Sequence, residues 1–171
     1  EDVQFAHYDP NVASLMQLGK WFDYMRENGV YDNTRIILVA DHGRGLYLNW
    51  DRVIDNGPDT DFFFPLLMVK DFNAKGFSFS DTFMTTADVP TLATSGLIDN
   101  PTNPFTGNAI NANAKYDRPF YAFMSYDWDT SKNNGNQFFP GTWYRVDNQN
   151  ARDKRNWVMV GENTVLPDAL R

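Results

Sequence analysis

The apolar run Ile36-Ile37-Leu38-Val39-Ala40 limits the fold of this chain more than any other segment. It is rich in β-branched residues and no polar residue interrupts it, so the run predicts a strand whose two faces are both buried. Strands of this kind are typical of parallel sheets that helices cover on both sides. We therefore expect an α/β fold in which this strand belongs to a parallel sheet.

A helix is predicted directly upstream of this strand. Asp9-Pro10 places an acidic capping residue before a proline, a pattern typical of helix starts. Asn28-Gly29 supplies a stop, so an amphipathic helix is expected over residues 10–28. Residues that are apolar or small recur at steps of three and four along this stretch, namely Val12, Leu15, Met16, Gly19, Phe22 and Met25.

Downstream of the first strand, the pattern predicts a loop, a strand and a short helix. Residues 43–64 have mixed polarity and a turn signal, which favours a long loop. Residues 65–70 are again a buried type of strand. A capped helix is expected to begin at Asp88 and to end at Gly96.

The last part of the chain has a different composition. Residues 99–117 are rich in Asn, Pro, Gly and Thr and are expected to form a long connection. Beyond it, aromatic and β-branched segments predict an antiparallel sheet of three strands, at Phe120–Tyr126, Trp143–Asp147 and Trp157–Gly161. We therefore divide the chain into an α/β portion, 1–98, and an aromatic-rich antiparallel subdomain, 99–171.

The composition excludes several classes of function. The 171 residues carry a formal net charge of −7 without a visible cluster of Lys and Arg, so no nucleic-acid partner is expected. The mean hydropathy is −0.52, and no apolar run approaches the ~18 residues that a membrane span needs. The chain contains no cysteine, which excludes disulfides and thiolate chemistry.

Asp41-His42-Gly43 follows the first predicted strand at once and is the segment best suited to chemistry. In open α/β sheets, ligands bind in the crevice beyond the carboxyl ends of the strands. A carboxylate and an imidazole at that edge can both bind one divalent cation, and Gly43 would let the backbone turn away without a clash. The alternative is that Asp41 forms a turn and His42 is an ordinary polar residue with satisfied hydrogen bonds.

The segments around this motif follow a recognisable order. They are Leu18-Gly19-Lys20-Trp21-Phe22, then Asn28 to Arg35 with Tyr31-Asp32-Asn33-Thr34, then Pro65-Leu66-Leu67, and finally Asp88-Val89-Pro90-Thr91-Leu92. Together with Asp41-His42-Gly43, their order and spacing resemble the sulfatase family of the alkaline phosphatase superfamily over about residues 8–97. The resemblance implies the C-terminal part of an alkaline-phosphatase-like parallel-sheet sandwich, extended here by the antiparallel subdomain.

The resemblance also implies how the site is divided. Asp41 and His42 would bind one divalent metal ion, and Mn, Mg, Ca or Zn all suit an oxygen and imidazole ligand set. The nucleophile, a Thr, Ser or modified Cys, would come from a region upstream of Glu1, so no catalytic residue is expected within this chain. The chain has only two histidines, and none follows His42, so the second zinc site of two-zinc relatives is not expected.

Four further residues are candidates for binding the substrate: His7, Arg44, Arg52 and Lys70. The three cations lie near the predicted strand ends, where they can bind the non-bridging oxygens of a phosphate or sulfate. In the related transferases, a histidine upstream of the helix reaches the substrate pocket, and His7 resembles it. For each of the four, the alternative is a solvated side chain. Asp88 is expected to cap a helix rather than to bind metal.

The expected function is that of a metal-dependent sulfatase-like hydrolase that cleaves a sulfate or phosphate ester. The chain alone would be inactive, because the nucleophile lies in the missing N-terminal part of the same protein. One alternative is a phosphoglycerol or phosphoethanolamine transferase that acts on envelope lipids, and another is a non-catalytic binding module. The resemblance implies an exported or envelope-associated protein, with its catalytic domain outside the cytoplasm.

Overall fold

The computed structural model describes residues 3–125 and 139–170, with side chains from Tyr8 onward except that of Ala169. These residues form a mixed α/β structure with two small antiparallel sheets. The helices are α1 (Val3–Glu27) and α2 (Val89–Thr94), and the strands are β1 (Ile36–Val39), β2 (Leu67–Lys70), β3 (Phe120–Met124), β4 (Gly141–Val146) and β5 (Trp157–Thr164). Within these ranges, no helix has both the length and the apolar character that crossing a bilayer demands.

Helix α1 begins earlier than predicted and ends where predicted. Pro10 lies inside the helix, so the expected start at Asp9-Pro10 was wrong. Proline has no N–H, and the helix continues past it with one hydrogen bond fewer. At the other end, Gly29 has a φ of +69° and its N–H donates to the carbonyl of Arg26 at 3.0 Å. Because glycine adopts this left-handed conformation without a steric penalty, the helix ends here.

The apolar face of α1 is only partly covered by the described residues. Met25 is buried, and the ring of Phe22 packs against that of Tyr31 with centroids 5.7 Å apart. Leu15 and Met16, by contrast, are 55% and 62% exposed. The first half of the predicted apolar stripe therefore faces outward rather than toward a core.

Strands β1 and β2 confirm that the two predicted strands exist, but their setting differs from the prediction. They pair antiparallel as a sheet of two strands, with Ile36 opposite Lys70 and Val39 opposite Leu67. Ile36 is buried, whereas Val39 is 45% exposed. The prediction of a strand buried on both faces was therefore wrong within the described part of the chain, and the larger parallel sheet stays a prediction.

Arg35 ties helix α2 to the β1–β2 pair. Its guanidinium donates to three carbonyls at the end of the helix and to the carboxylate of Asp71, and its side chain is only 11% exposed. The last carbonyls of a helix lack partners within it, and a cation placed there satisfies them and interacts favourably with the helix dipole. The three carbonyls belong to Leu92, Ala93 and Ser95, at 3.0, 3.2 and 2.6 Å.

The antiparallel sheet predicted at the C-terminal end is confirmed, with strand order β3-β4-β5. Tyr126, the predicted end of its first strand, lies outside the described residues. Ile54 and Phe63 pack against one face of this sheet, so contacts cross the predicted boundary between 1–98 and 99–171. The buried residues on that face are Ala122, Tyr144, Val146 and Trp157.

We predict that Arg35→Ala lowers the free energy of unfolding by about 2–3 kcal/mol, because carbonyls at the end of α2 lose a charged donor and stay partly buried. Urea unfolding of the 171-residue chain measures this loss. Arg152→Ala is the control: Arg152 faces Asp81 at 3.9 Å with its side chain 71% exposed, and the variant should lose less than ~1 kcal/mol. Equal losses in the two variants would contradict the role of Arg35.

A pH dependence is predicted for the turn before β5. Arg155 donates to Asp153 through its side chain and through its backbone N–H, and these bonds lower the pKa of Asp153 from 3.8 to about 2. A lowered folded-state pKa adds stability that is present above the ordinary pKa and is lost as the pH falls toward 2. The difference in unfolding free energy between the wild type and Asp153→Asn should therefore shrink between about pH 5 and pH 2. A difference in unfolding free energy that does not vary with pH would contradict the predicted role of Asp153.

Candidate functional site

Asp41 and His42 lie together immediately after β1, as the sequence predicts. The last backbone contact of this strand pair joins the N–H of Ala40 to the carbonyl of Leu66 at 3.0 Å, and the chain then leaves the sheet. The side chains of Asp41 and His42 are 89% and 61% exposed. The backbone N–H of His42 donates to Asp41 Oδ1 at 2.9 Å, which holds the carboxylate beside the imidazole.

The ring of His42 is fixed by a contact with the next residue. Its Nδ1 lies 2.6 Å from the carbonyl oxygen of Gly43. Because a carbonyl oxygen only accepts hydrogen bonds, Nδ1 must carry the proton, and in the neutral ring Nε2 then presents a lone pair. Nε2 lies 3.9 Å from Asp41 Oδ2. Two ligand bonds of ~2 Å each span this separation, so the two atoms can bind one cation.

The two side chains fit a divalent metal ion by their chemistry, but they are only part of a ligand set. Carboxylate oxygen suits Mg, Ca and Mn, and imidazole nitrogen suits Zn and other transition metals. Within residues 3–125 and 139–170, no group of three or more His, Asp or Glu side chains is arranged to hold a metal. Asp41 and His42 can therefore supply two ligands, with others needed to complete the coordination.

Gly43 is required by a close contact as well as by the turn. Its N–H donates to the carbonyl of Phe62 at 2.9 Å. A Cβ at position 43 would lie 2.0 Å from the carbonyl oxygen of Asp61 and 2.7 Å from that of Phe64. No side chain fits there, so glycine lets the backbone after His42 touch the backbone of residues 61–64.

The predicted loop over residues 43–64 is an ordered excursion that closes on itself. It contains two short 3₁₀ turns, at Trp50–Arg52 and Thr60–Phe63, and Val53 and Asp59 form a bridge at its neck. The carboxylate of Asp59 is 1% exposed and accepts hydrogen bonds from the N–H groups of Tyr47 and Asp61, at 2.9 and 3.0 Å. Sequence reasoning missed Asp59, although Asp59-Thr60-Asp61 carries the acidic residue typical of a helix N-cap.

Two of the predicted anion-binding cations have partners within the chain. Arg52 forms an ion pair with the carboxylate of Asp61. The ammonium of Lys70 donates to three backbone carbonyls of the turn before β1, those of Tyr31, of Asp32 at 3.2 Å and of Thr34 at 2.9 Å. These bonds occupy all three donors of Lys70, so its role in this structure is to hold the turn.

The remaining predicted site residues are placed as follows. Arg44 is exposed next to the Asp41-His42 pair, and within the described residues it has no hydrogen bond or ion pair. The side chain of His7 lies outside the described residues.

Asp88 lies at the start of α2, as predicted, but its carboxylate does not cap that helix. Its carboxylate accepts from the backbone N–H of Thr85 at 2.8 Å rather than from the first N–H groups of α2. It also pairs with Lys115 at 3.0 Å, and both side chains are largely buried. These contacts give Asp88 a structural role.

Aromatic residues of the C-terminal sheet lie in its packed core. Tyr144 and Trp157 are buried at 4% and 6% exposure. The indole N–H groups of Trp143 and Trp157 donate to backbone carbonyls, of Thr164 at 3.2 Å and of Ala151 at 2.8 Å. These contacts give Trp143, Tyr144 and Trp157 a structural role in the sheet.

Comparisons of the chain with protein-family models, with curated proteins and with solved structures found no match.

Gly43→Ala tests the close contact behind the motif. We predict a loss of about 2 kcal/mol or more in unfolding free energy, because a Cβ at this position meets backbone atoms that have to move. Gly19→Ala is the matched control, since a Cβ added to Gly19 in α1 would meet no atom within 4 Å beyond its own helix backbone. Alanine there should be neutral or stabilise by up to ~1 kcal/mol. Thermal unfolding measures both, and a Gly43→Ala variant as stable as the wild type would contradict the contact.

Proposed function

We propose that this chain is the C-terminal part of a metal-dependent sulfatase-like hydrolase, in which Asp41 and His42 bind one divalent metal ion. The observation that carries the proposal is the orientation of His42. A metal-binding histidine usually donates its other ring N–H to a carbonyl or carboxylate, which fixes the ring and the tautomer. His42 makes that bond to the carbonyl of Gly43, and its Nε2 is left beside the Asp41 carboxylate.

The exposure of the pair supports a role in binding rather than in packing. The side chains of Asp41 and His42 are both largely exposed, and in the described residues their hydrogen bonds and ionic contact are with each other and with Gly43. A carboxylate and a neutral imidazole with solvent access can take up a cation without leaving a hydrogen bond unsatisfied elsewhere. The turn interpretation explains the backbone contact of Asp41 and the hydrogen bond of His42 Nδ1, but it gives no role to the Nε2 that lies beside the Asp41 carboxylate.

The chemistry follows from these groups. A divalent ion bound here would stabilise an alkoxide nucleophile and would neutralise charge on the sulfuryl or phosphoryl group. Asp41 and His42 hold and orient that ion. Arg44 is the next cation along the chain and is exposed, and its planar guanidinium suits the non-bridging oxygens of a sulfate or phosphate ester. The nucleophile and the remaining ligands belong to an upstream region of the same protein, so the chain alone is inactive.

The β1–β2 pair supports the proposal that further strands join this sheet. A sheet of two strands is marginally stable by itself, and its outer edges present unpaired backbone groups. Val39 of β1 and Val69 of β2 are each 45% exposed, and Leu15 and Met16 are exposed on α1. Upstream strands added at an edge would cover apolar surface and would extend the pair toward the alkaline-phosphatase-like parallel sandwich. The resemblance to the sulfatase family also favours a location outside the cytoplasm.

Asp41→Ala and His42→Ala test the proposal in the longer protein that includes the upstream region. Each variant should bind its metal ion more than about 100-fold more weakly and should lose hydrolysis of an aryl sulfate or aryl phosphate in parallel, because each removes a ligand. Metal content by mass spectrometry and kcat/KM for both esters measure the effect. Asp99→Ala is the matched control, since Asp99 is exposed in the turn after α2. Unchanged metal content in the Asp41 and His42 variants would contradict the proposal.

A further inference from the structure

We propose that the C-terminal aromatic sheet positions the metal-binding pair through residues 59–64, which we name the brace segment. Phe63 and Asp59 are the positioning residues of this segment. The inference rests on the proposed function in so far as it concerns metal binding, but its structural step stands on contacts in this chain. It assigns to the antiparallel subdomain a role in orienting the metal-binding pair. The resemblance to the sulfatase family does not imply such a role.

The first step is the contact between the motif and the brace segment. The N–H of Gly43 donates to Phe62, and the Cα of Gly43 lies against the carbonyls of Asp61 and Phe64 without room for a Cβ. The carbonyl of Gly43 in turn accepts from Nδ1 of His42. The peptide groups of Gly43 therefore connect the brace segment on one side with the imidazole on the other.

The second step is the attachment of the brace segment to the sheet. Phe63 lies between Phe62 and Phe64, and its ring packs on Trp157 with centroids 4.9 Å apart and against Tyr144 at 6.3 Å. Trp157 and Tyr144 are among the most buried residues of the molecule. Because a ring in a packed core has few alternative positions, the two carbonyls that flank Phe63 are held in place.

The third step is the closure of the loop by a buried carboxylate. Asp59 accepts one N–H with each of its oxygens, from Tyr47 and from Asp61, and it is 1% exposed. Burying a carboxylate is costly unless hydrogen bonds compensate it, so these two bonds are strong constraints on the backbone. They join the arm of the loop that follows the motif to the start of the brace segment.

The consequence concerns the geometry of the metal-binding pair. Ligand atoms must be held close to their productive positions, and a supporting shell that yields by ~1 Å weakens the site. Loss of the Phe63 ring would free the carbonyl of Phe62, then the peptide of Gly43, and then the imidazole that the same peptide orients. The variant should fold and yet bind metal less well.

The structural step is tested by amide hydrogen exchange in the 171-residue chain, with Phe63→Ala and Phe123→Ala compared. Phe123 packs on Trp143 with centroids 4.8 Å apart, and it lies on the opposite face of β3 from the buried cluster, so its variant removes the same ring elsewhere in the same sheet. Phe63→Ala should speed exchange of the Gly43 N–H at least about 10-fold more than Phe123→Ala does. Equal protection of Gly43 in the two variants would overturn the inference. If the alanine variant fails to fold, Phe63→Leu replaces it in the same comparison.

The metal-binding step is tested in the longer protein by titration with Mn²⁺ or Zn²⁺, below the unfolding temperature of each variant. Phe63→Ala should weaken binding about 10- to 100-fold, as loss of a supporting group does at other metal sites, while Phe123→Ala should leave it unchanged. Equal affinity in both variants would overturn the inference. Failure of the proposed function gives a distinct pattern, because Asp41→Ala would then retain its metal while Gly43 exchange still responds to Phe63→Ala.

Discussion

The contact between Gly43 and the backbone of residues 61–64 joins the two parts of this molecule. On one side lie β1 and the Asp41-His42 pair, and on the other lies a segment whose ring, Phe63, is packed into the C-terminal sheet. Without this contact, the residues after β1 would be an exposed turn with no fixed relation to the best-packed core of the described structure. With it, the direction of the chain after His42 is set by tertiary packing as well as by the strand.

Three charged side chains hold short elements of this structure through hydrogen bonds to the backbone. Arg35 donates to carbonyls at the end of α2, and Lys70 donates to carbonyls of the turn before β1. Asp59 accepts backbone N–H groups where the loop over residues 43–64 closes. Hydrogen bonds between a charged group and backbone partners are stronger than those between neutral groups, and they hold short elements that have little apolar packing of their own. Of the predicted anion-binding cations, Lys70 donates to backbone carbonyls and Arg52 pairs with the Asp61 carboxylate, whereas Arg44 is exposed beside the Asp41-His42 pair.

Local sequence patterns predicted where the helices and strands lie better than they predicted which strands pair and in which direction. The strands β3, β4 and β5 followed from aromatic and β-branched runs, and the end of α1 followed from Gly29, because both signals act through nearby backbone sterics. The antiparallel pairing of β1 with β2 did not follow, since an apolar run specifies a strand but not the direction of its neighbour. Asp41 and His42 could be placed from adjacency alone. The burial of Asp59 could not be predicted, because it depends on how the loop over residues 43–64 folds back on itself. The spacing of apolar residues along the sequence contains no information on that.

The central claim is that Asp41 and His42 bind one metal ion with the imidazole oriented by Gly43. The most direct test is a crystal structure of the proposed longer protein grown with Mn²⁺ or Zn²⁺, with anomalous diffraction measured at the absorption edge of that metal. The account predicts an anomalous peak within about 2.0–2.4 Å of an Asp41 oxygen and of His42 Nε2, with Nδ1 still donating to the carbonyl of Gly43. A metal bound by other residues, or one bound through Nδ1, would contradict it.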